Sequence, residues 1–452
     1  MILRAVAAIA GIAWLVVPST AAAQAFLQDP RIANGIGVKA GEFELHPGVA
    51  GEVGYDSNYF QHAGNAQEPV LGAYRLRVTP SLALETTGAR DAEGTGTAAP
   101  PSVKFRANLS ASYNHLIATE SQAAGDISRQ SHVAGNAGIG LDILPQRTWG
   151  GDLSAQYSRM VEASNDPETA NAFSRHTLRG GAGVAFRPGG GLFDWRLGYG
   201  VRGTLFEQSG FQNLDNTQHS VETNGRWTFF PRTALIYRGE LTFLDYGNGT
   251  ADRHGGQLLR SQAGINGLFT QHFGLLALVG WGATFFDRNA VPTNDFDSVI
   301  GQLEVSFYPN PQPKVPAEGA PVGLSSISVG YNRNFSLSLF GDYFQRDRAY
   351  ASLSYFLAQQ FVLALSGGLS HVTRPDVFAP RRPAPILDAG GENRVDAQAL
   401  LEYRPGDSIG INATLRYNAM LDEDRRVQIG NGSVDDLSFA RYQAFLGVRW
   451  FL

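Results

Sequence analysis

The sequence predicts an all-β chain, an antiparallel up-and-down transmembrane β-barrel of about eighteen strands, with sixteen as the alternative. Three observations carry this. Apolar and polar residues alternate through one stretch after another, and alternation places the two kinds on opposite faces of a strand. Each stretch, at about 9–11 residues or more, is long enough to cross a bilayer at a tilt. Mean hydropathy is only −0.15, as expected when the lipid face uses half of every strand and the other half lines a wet interior. The run Val103-Lys104-Phe105-Arg106-Ala107-Asn108-Leu109 shows the pattern.

The chain opens with Met1-Ile2-Leu3-Arg4, an apolar run from Ala5 to Val17, and then Ala21-Ala22-Ala23. That is the layout of a secretory signal peptide over 1–23, with cleavage after Ala23 or Ala25; the apolar run is short for an anchor and ends in small residues. Residues 24–42 read as a short periplasmic segment and 43–452 as the barrel. Export without a helical anchor leaves periplasm, cell surface or outer membrane, and the barrel pattern selects the outer membrane of a Gram-negative cell. The chain has no Cys, which excludes disulfides and thiolate metal sites. A net charge of −5 with no Lys/Arg cluster gives no reason to expect a nucleic-acid partner.

Taken in order, the predicted strands are 43–57, 71–86, 103–116, 131–144, 149–161, 175–187, 193–206, 218–229 and 234–245. They continue as 257–269, 273–286, 298–308, 325–335, 346–357, 361–372, 393–404, 408–419 and 439–452. The connections provide a separate test. Alternate ones are tight, such as Pro188-Gly189-Gly190-Gly191 and Pro405-Gly406-Asp407, with the Pro and Gly of hairpin turns. Those between are longer and polar, as surface loops facing short periplasmic turns are. Segments 87–102 and 309–324 fall on the short side yet are long and rich in Pro or Gly, which reads as periplasmic insertions, since Pro cannot sit inside a ladder.

In the final stretch Tyr442, Leu446, Val448, Trp450 and Leu452 share one parity. This resembles the C-terminal strand signal read by the outer-membrane barrel assembly machinery, although that signal usually ends in an aromatic residue and here Phe451 precedes a terminal Leu. Aromatics near predicted strand ends, among them Tyr55, Tyr59, Phe60, Trp149, Phe186, Trp195, Trp227, Phe229, Phe285, Tyr355, Tyr403, Tyr417 and Trp450, read as interfacial girdles against outer-membrane lipid.

If the apolar parity faces lipid, the other lines the lumen. Its basic candidates include Arg75, Arg77, Lys104, Arg106, Arg196, Arg202, Arg226, Arg238, Arg260, Arg348 and Arg416, with Arg175, Arg179, Arg346, Arg394 and Arg449 on the same parity. Acidic candidates are Glu44, Glu52, Glu85, Asp142, Asp152, Asp194, Glu222, Glu240, Glu304, Asp396 and Glu402. Basic outnumber acidic by roughly three to two in this polar lining. One reading is attraction for anions, because low-dielectric walls focus the field and Arg pairs bidentately with carboxylate or phosphate. The other is neutralisation between neighbouring strands, as in Arg238 with Glu240 or Arg394 with Asp396. The loop 373–392, carrying Phe378, Arg381 and Arg382, is the candidate constriction, or else an ordinary solvated loop.

No pattern of an enzyme stands out. The nine His share no metal-type spacing, no nucleophile elbow is present, and neither catalytic residues nor cofactors are expected. Asp56-Ser57-Asn58 reads as an Asx turn rather than a Ca²⁺ site. The short stretch between the signal and the first strand leaves no room for a plug domain, which argues against a TonB-dependent receptor.

The segment Gly41-Glu42-Phe43-Glu44-Leu45-His46-Pro47 through Gly54-Tyr55-Asp56-Ser57-Asn58-Tyr59-Phe60 resembles the opening strand of the β-barrel porin 2 family (BBP2), a Pro-containing strand leading into Tyr-Asp-x-Asn. The resemblance implies an outer-membrane barrel over essentially the whole mature chain. Some members serve as the outer-membrane exit of exopolysaccharide pathways beside a separate periplasmic polysaccharide-export protein. The expected function is therefore a channel, most concretely the exit for an anionic surface polysaccharide. A general or anion-preferring diffusion porin is the first alternative, and a structural or adhesive barrel with a plugged lumen the second.

Overall fold

A computed structural model describes residues 37–452 apart from 65–68, 87–101, 122–123, 164–171, 248–253, 289–291, 311–324, 339–341, 358–359, 377–389, 407, 423–425, 429–433 and 437. The expected signal segment 1–23, most of 24–42, the core of both periplasmic insertions, and Phe378, Arg381 and Arg382 of the expected constriction lie outside the described residues.

Eighteen long strands follow one another. They are β1 Phe43–Asp56, β2 Ala73–Thr86, β3 Val103–Ala118, β4 His132–Ile143, β5 Trp149–Ala163 and β6 Ala172–Phe186. Next come β7 Phe193–Phe206, β8 Asn216–Phe230, β9 Thr233–Asp245, β10 Gly256–Leu268, β11 Phe273–Phe286 and β12 Asp297–Phe307. The remainder are β13 Ser326–Leu337, β14 Tyr343–Leu357, β15 Phe361–Arg374, β16 Gly390–Gly406, β17 Ile409–Met420 and β18 Ala440–Phe451. Every strand pairs antiparallel with its chain neighbours, and β1 pairs with β18 from Gly48↔Phe451 to Asp56↔Gln443. The sheet is a closed barrel without a free edge, the form in which strands satisfy their backbone groups inside hydrocarbon. The sixteen-strand alternative is excluded, and no predicted boundary moves by more than three residues.

Alternation is what makes this architecture. On β17, Ile409, Ile411, Leu415 and Tyr417 point outward and are exposed, while Asn412 and Thr414 between them point inward and are buried. On β18, Tyr442, Leu446, Val448 and Trp450 are exposed, whereas Arg441, Gln443, Phe445, Arg449 and Phe451 are buried inside. Leu452 closes the end of the chain: its N–H donates to Pro47 O at 3.0 Å. The outer skin is apolar over all eighteen strands, with Val53, Leu109, Val279 and Leu446 each more than half exposed. In a water-soluble protein such a surface would be covered; here it is the lipid face. At the end bearing the short turns an aromatic chain runs from Trp149 to Phe186 at 4.5 Å and from Phe193 through Trp195 to Tyr237 at 5.9 and 5.8 Å. The turn after β6 depends on Gly189 and Gly191, whose φ of 69° and 98° suit residues without a Cβ.

Several small elements were not foreseen. Val38–Ala40 folds back on β1, Arg426–Gln428 pairs with Val434–Asp436 in the last loop, Ala124–Ser128 is a helical turn, and Ser209–Leu214 is a 3₁₀ segment. One expectation is overturned: Tyr59 and Phe60 are not girdle residues. They are 4% and 0% exposed, packed with Ala73, Leu116 and Ile127. Leu116 and Ala73 lie on the inward parity, so the β1–β2 loop folds over the barrel mouth rather than outward.

Candidate functional site

The lumen is the candidate site, and the alternation that makes the skin apolar makes its lining polar. All the basic candidates named from the sequence stand on the inward parity, but their environments differ along the circumference. From β12 through the seam to β2 the inward side chains are mostly buried against one another, among them Gln302, Ser328, Ser352, Ser370, Glu402, Thr414, Gln443, Arg77 and Thr79. From β3 to β9, Arg106, Asn108, Gln156, Arg179, Asn224, Arg226 and Arg238 face inward and remain exposed. The interior is thus filled by side chains along one arc and more open along the other, where Ser112, Asn114 and Asn136 on β3 and β4 and Thr242 on β9 are nonetheless buried.

Ion pairs organise the filled arc. Arg441 holds the buried Asp56 through both carboxylate oxygens, one bond at 2.8 Å, and Gln443 donates to the same carboxylate at 2.7 Å. Arg77 pairs with Glu52 on the adjoining strand. Glu402 takes Arg404 at 2.6 Å and Arg449 at 2.5 Å. Glu392 takes Arg374 and Arg394 at 2.7 and 2.6 Å. Asp396 binds Arg348 at 2.5 Å and reaches Arg346 at 3.5 Å. Tyr350 receives a bond from Gln302 at 3.0 Å and donates to Glu304 at 2.8 Å. Three guanidiniums, Arg75, Arg77 and Arg416, stand 5.9–6.0 Å from the ring of Phe445, and Arg75 also donates to Asn114 at 2.9 Å. Charges taken out of water need such partners, since a buried carboxylate left alone is strongly destabilising.

Partner choice departs from what neighbouring positions suggested. Glu240 pairs with Arg260 on the next strand at 3.1 Å rather than with Arg238, and Asp396 pairs with Arg346 and Arg348 rather than with Arg394. Glu392 and Glu402 do take the arginine two positions on, whereas Glu240 takes one from the next strand and Asp396 takes two from β14, two strands away, so register and guanidinium reach decide each case. On the more open arc Arg196 grips Asp152 with bonds of 2.7 and 2.6 Å, Arg106 meets Asp142 at 2.9 Å, and Lys104 stands opposite Asp142 in the register. Among the described residues no carboxylate lies within ion-pair distance of Arg179, Arg202, Arg226, Arg238 or Arg416. Wall pairing and guanidiniums without a carboxylate at ion-pair distance therefore coexist on both arcs.

Sequence reasoning missed the loops that narrow the mouth. Tyr59 and Phe60 meet edge-on at 5.0 Å, and burial raises the pKa of the Tyr59 phenol above its ordinary range. Asn58 fastens the same loop, donating to His62 O at 2.7 Å and to Ala440 O at 3.2 Å. Its own N–H donates to Asp56 Oδ1 at 3.3 Å, which is the expected Asx turn. Phe296, from the loop before β12, stacks on Phe335 at 4.4 Å within a cluster of Leu244, Leu258, Phe286 and Ile300. Phe211 and Leu214 pack on Phe206. The signal that could have found them was present: Leu116, Phe206, Leu244, Leu258 and Phe286 are apolar residues on the polar parity near strand ends, and each marks where a loop comes inward. At that same rim His254 shares Asp342 with the backbone of Asn294, at 3.0 and 2.7 Å. Among the described residues no group of three or more His, Cys, Asp or Glu is placed to hold a metal.

No family model matches the sequence, and no curated protein matches it. Among solved structures the chain is similar to Acinetobacter baumannii OccAB4, at 12% identity and a TM-score of 0.43 over 90% of this chain and 98% of that one. It is similar to the FrpB iron transporter from Neisseria meningitidis, at 10% identity and a TM-score of 0.46 over 95% and 83% of the two chains. A third similar structure is a bacterial polysaccharide outer membrane secretin, at 11% identity and a TM-score of 0.32 over 90% and 97%.

Proposed function

We propose that the protein is an outer-membrane channel for anionic solutes and, most concretely, the outer-membrane exit for an anionic surface exopolysaccharide. The observation that carries this reading is the more open arc from β3 to β9 inside an apolar-skinned barrel, with guanidinium groups that have no carboxylate within ion-pair distance among the described residues. An anion in that arc is attracted by charges facing a low-dielectric wall, and a polymer bearing repeated acidic groups meets several of them at once. In this reading a periplasmic polysaccharide-export protein delivers the polymer at the short-turn end, and the barrel assembly machinery inserts the chain through its last strand.

A deletion strain tests the exporter: it should lose its anionic coat while retaining intracellular precursors, and a strain that still coats itself refutes the assignment. The second reading, an anion-preferring diffusion porin, is favoured by the filled arc, which leaves less room than an empty eighteen-stranded cylinder would. Reversal potentials in planar bilayers under a KCl gradient should show anion preference in either case. Cation preference would overturn both, and absence of conductance would favour the plugged barrel.

A further inference from the structure

On the more open arc four inward-facing residues form one row across four consecutive strands. Gln156 on β5 is the register partner of Arg179 on β6, Arg179 of Arg202 on β7, and Arg202 of Gln218 on β8. Strands are spaced about 4.8 Å apart, so the two guanidiniums start from adjacent backbone positions at the same height. Like charges directly opposite one another on a sheet destabilise it. Most other arginines inside this barrel are relieved by a carboxylate, whereas neither of these two has one within ion-pair distance among the described residues, Glu240 acting on Arg202 only from farther off, and Arg175 adds a third guanidinium four residues along the same face of β6, about 13 Å away at the Cα. The amides on either side are neutral and do not cancel the charge; that of Gln218 donates to Asn216 Oδ1 at 3.0 Å, which leaves its carbonyl oxygen as an acceptor.

We propose that Arg179 and Arg202, flanked by Gln156 and Gln218, form a station that binds one oxyanionic group of an acidic sugar on its way through the barrel. Two planar guanidiniums side by side match a single carboxylate or phosphate better than a diffuse positive field does, because each offers paired N–H donors in a fixed fork. The bound anion removes the repulsion between the arginines, so the empty station is the strained state and the occupied one the relaxed state. The assignment rests on the channel reading for its physiological meaning, but the binding itself does not.

Calorimetry on the whole barrel in detergent tests it, with a trimer of galacturonate as the probe and its methyl ester and inorganic phosphate as comparisons. The acidic trimer should bind, the ester should not, and phosphate should bind more weakly than the trimer. Arg202→Gln and the double variant Arg179→Gln/Arg202→Gln should weaken the trimer about tenfold to a hundredfold per arginine, the range for charged hydrogen bonds. Equal binding of trimer and ester, or unchanged binding in both variants, overturns the station. Phosphate binding as tightly as the trimer overturns its assignment to an acidic sugar.

Thermal unfolding separates the station from a structural role: without ligand, Arg202→Gln should be as stable as the parent or more so, and a clear loss of stability would mean that the arginines brace the wall. Conductance is read on the same samples. A barrel that binds the trimer but passes no current defeats the channel reading and leaves the station standing, whereas a conducting barrel with no trimer binding does the reverse.

Discussion

Phe60→Ala should release the loop that bends over the barrel mouth. The ring is completely buried among Tyr59, Ala73, Leu116 and Ile127, and truncating a phenylalanine in such a place removes about 3–5 kcal/mol. Against that, the loop keeps the N–H of Tyr59 donating to Leu71 O at 2.9 Å, Asn58 bonded to His62 O and Ala440 O, and Thr119 Oγ1 donating to Gly72 O at 3.0 Å. Each such bond contributes about 0.5–1.5 kcal/mol net, so the truncation removes roughly as much as the remaining bonds supply. The closed arrangement then loses its advantage by at least a hundredfold, since 1.4 kcal/mol is a factor of ten. Hydrogen exchange followed by mass spectrometry in proteoliposomes reads this directly: peptides over 57–62 should exchange about a hundredfold faster than in the parent, while those of β17 stay as they were. Single-channel conductance should rise in parallel. Exchange less than tenfold faster, with the barrel still folded, would show that the aromatic contact does not hold the loop.

Other perturbations follow from the same contacts. Glu402→Gln leaves Arg404 and Arg449 inside the wall without their carboxylate, and should lower stability by about 3–5 kcal/mol in urea titrations in detergent. Leu446→Arg puts a charge at the middle of the lipid face and should destabilise the folded barrel by about 2–4 kcal/mol, seen as loss of the heat-modifiable band after refolding into vesicles. Glu207, just beyond β7, bonds Arg159 at 2.6 and 2.9 Å, which holds its carboxyl below the usual range. Stability from a lowered carboxyl is present above its ordinary pKa and disappears as pH falls through the lowered value. The 207–215 loop should therefore be less protected, relative to the intrinsic amide exchange rate at each pH, in acid than at neutral pH, and Glu207→Gln should flatten that dependence.

The strands were legible because their signal is local and repetitive: in β17 every second residue from Ile409 to Tyr417 announces its face, and turns such as Pro188–Gly191 separate one pair from the next. The side on which each candidate arginine stands follows from the same parity. Much less could be read of what those arginines touch. Whether Glu240 meets Arg238 or Arg260 depends on register between strands and on side-chain reach, neither of which is written in a single strand. Tyr59 and Phe60 misled for a related reason, since an aromatic beside a strand end looks alike whether it turns toward lipid or into the mouth. The useful clue lay in the exceptions to alternation: Phe445 and Phe451, greasy residues on the wet parity, mark the arc where the interior is filled.

Asp56 and Arg441 clasp each other across 385 positions of chain, and this has a consequence for biogenesis. Until the final twelve-residue strand arrives, the first strand is paired on one side only, and the growing ribbon carries two raw margins of unsatisfied amides. Hydrocarbon tolerates neither. A chain shortened by that one segment should thus fail as a whole rather than lose a fraction of its wall, leaving a sticky intermediate for periplasmic proteases, and the carboxylate at one terminus with the guanidinium at the other acts as the buckle fastened last.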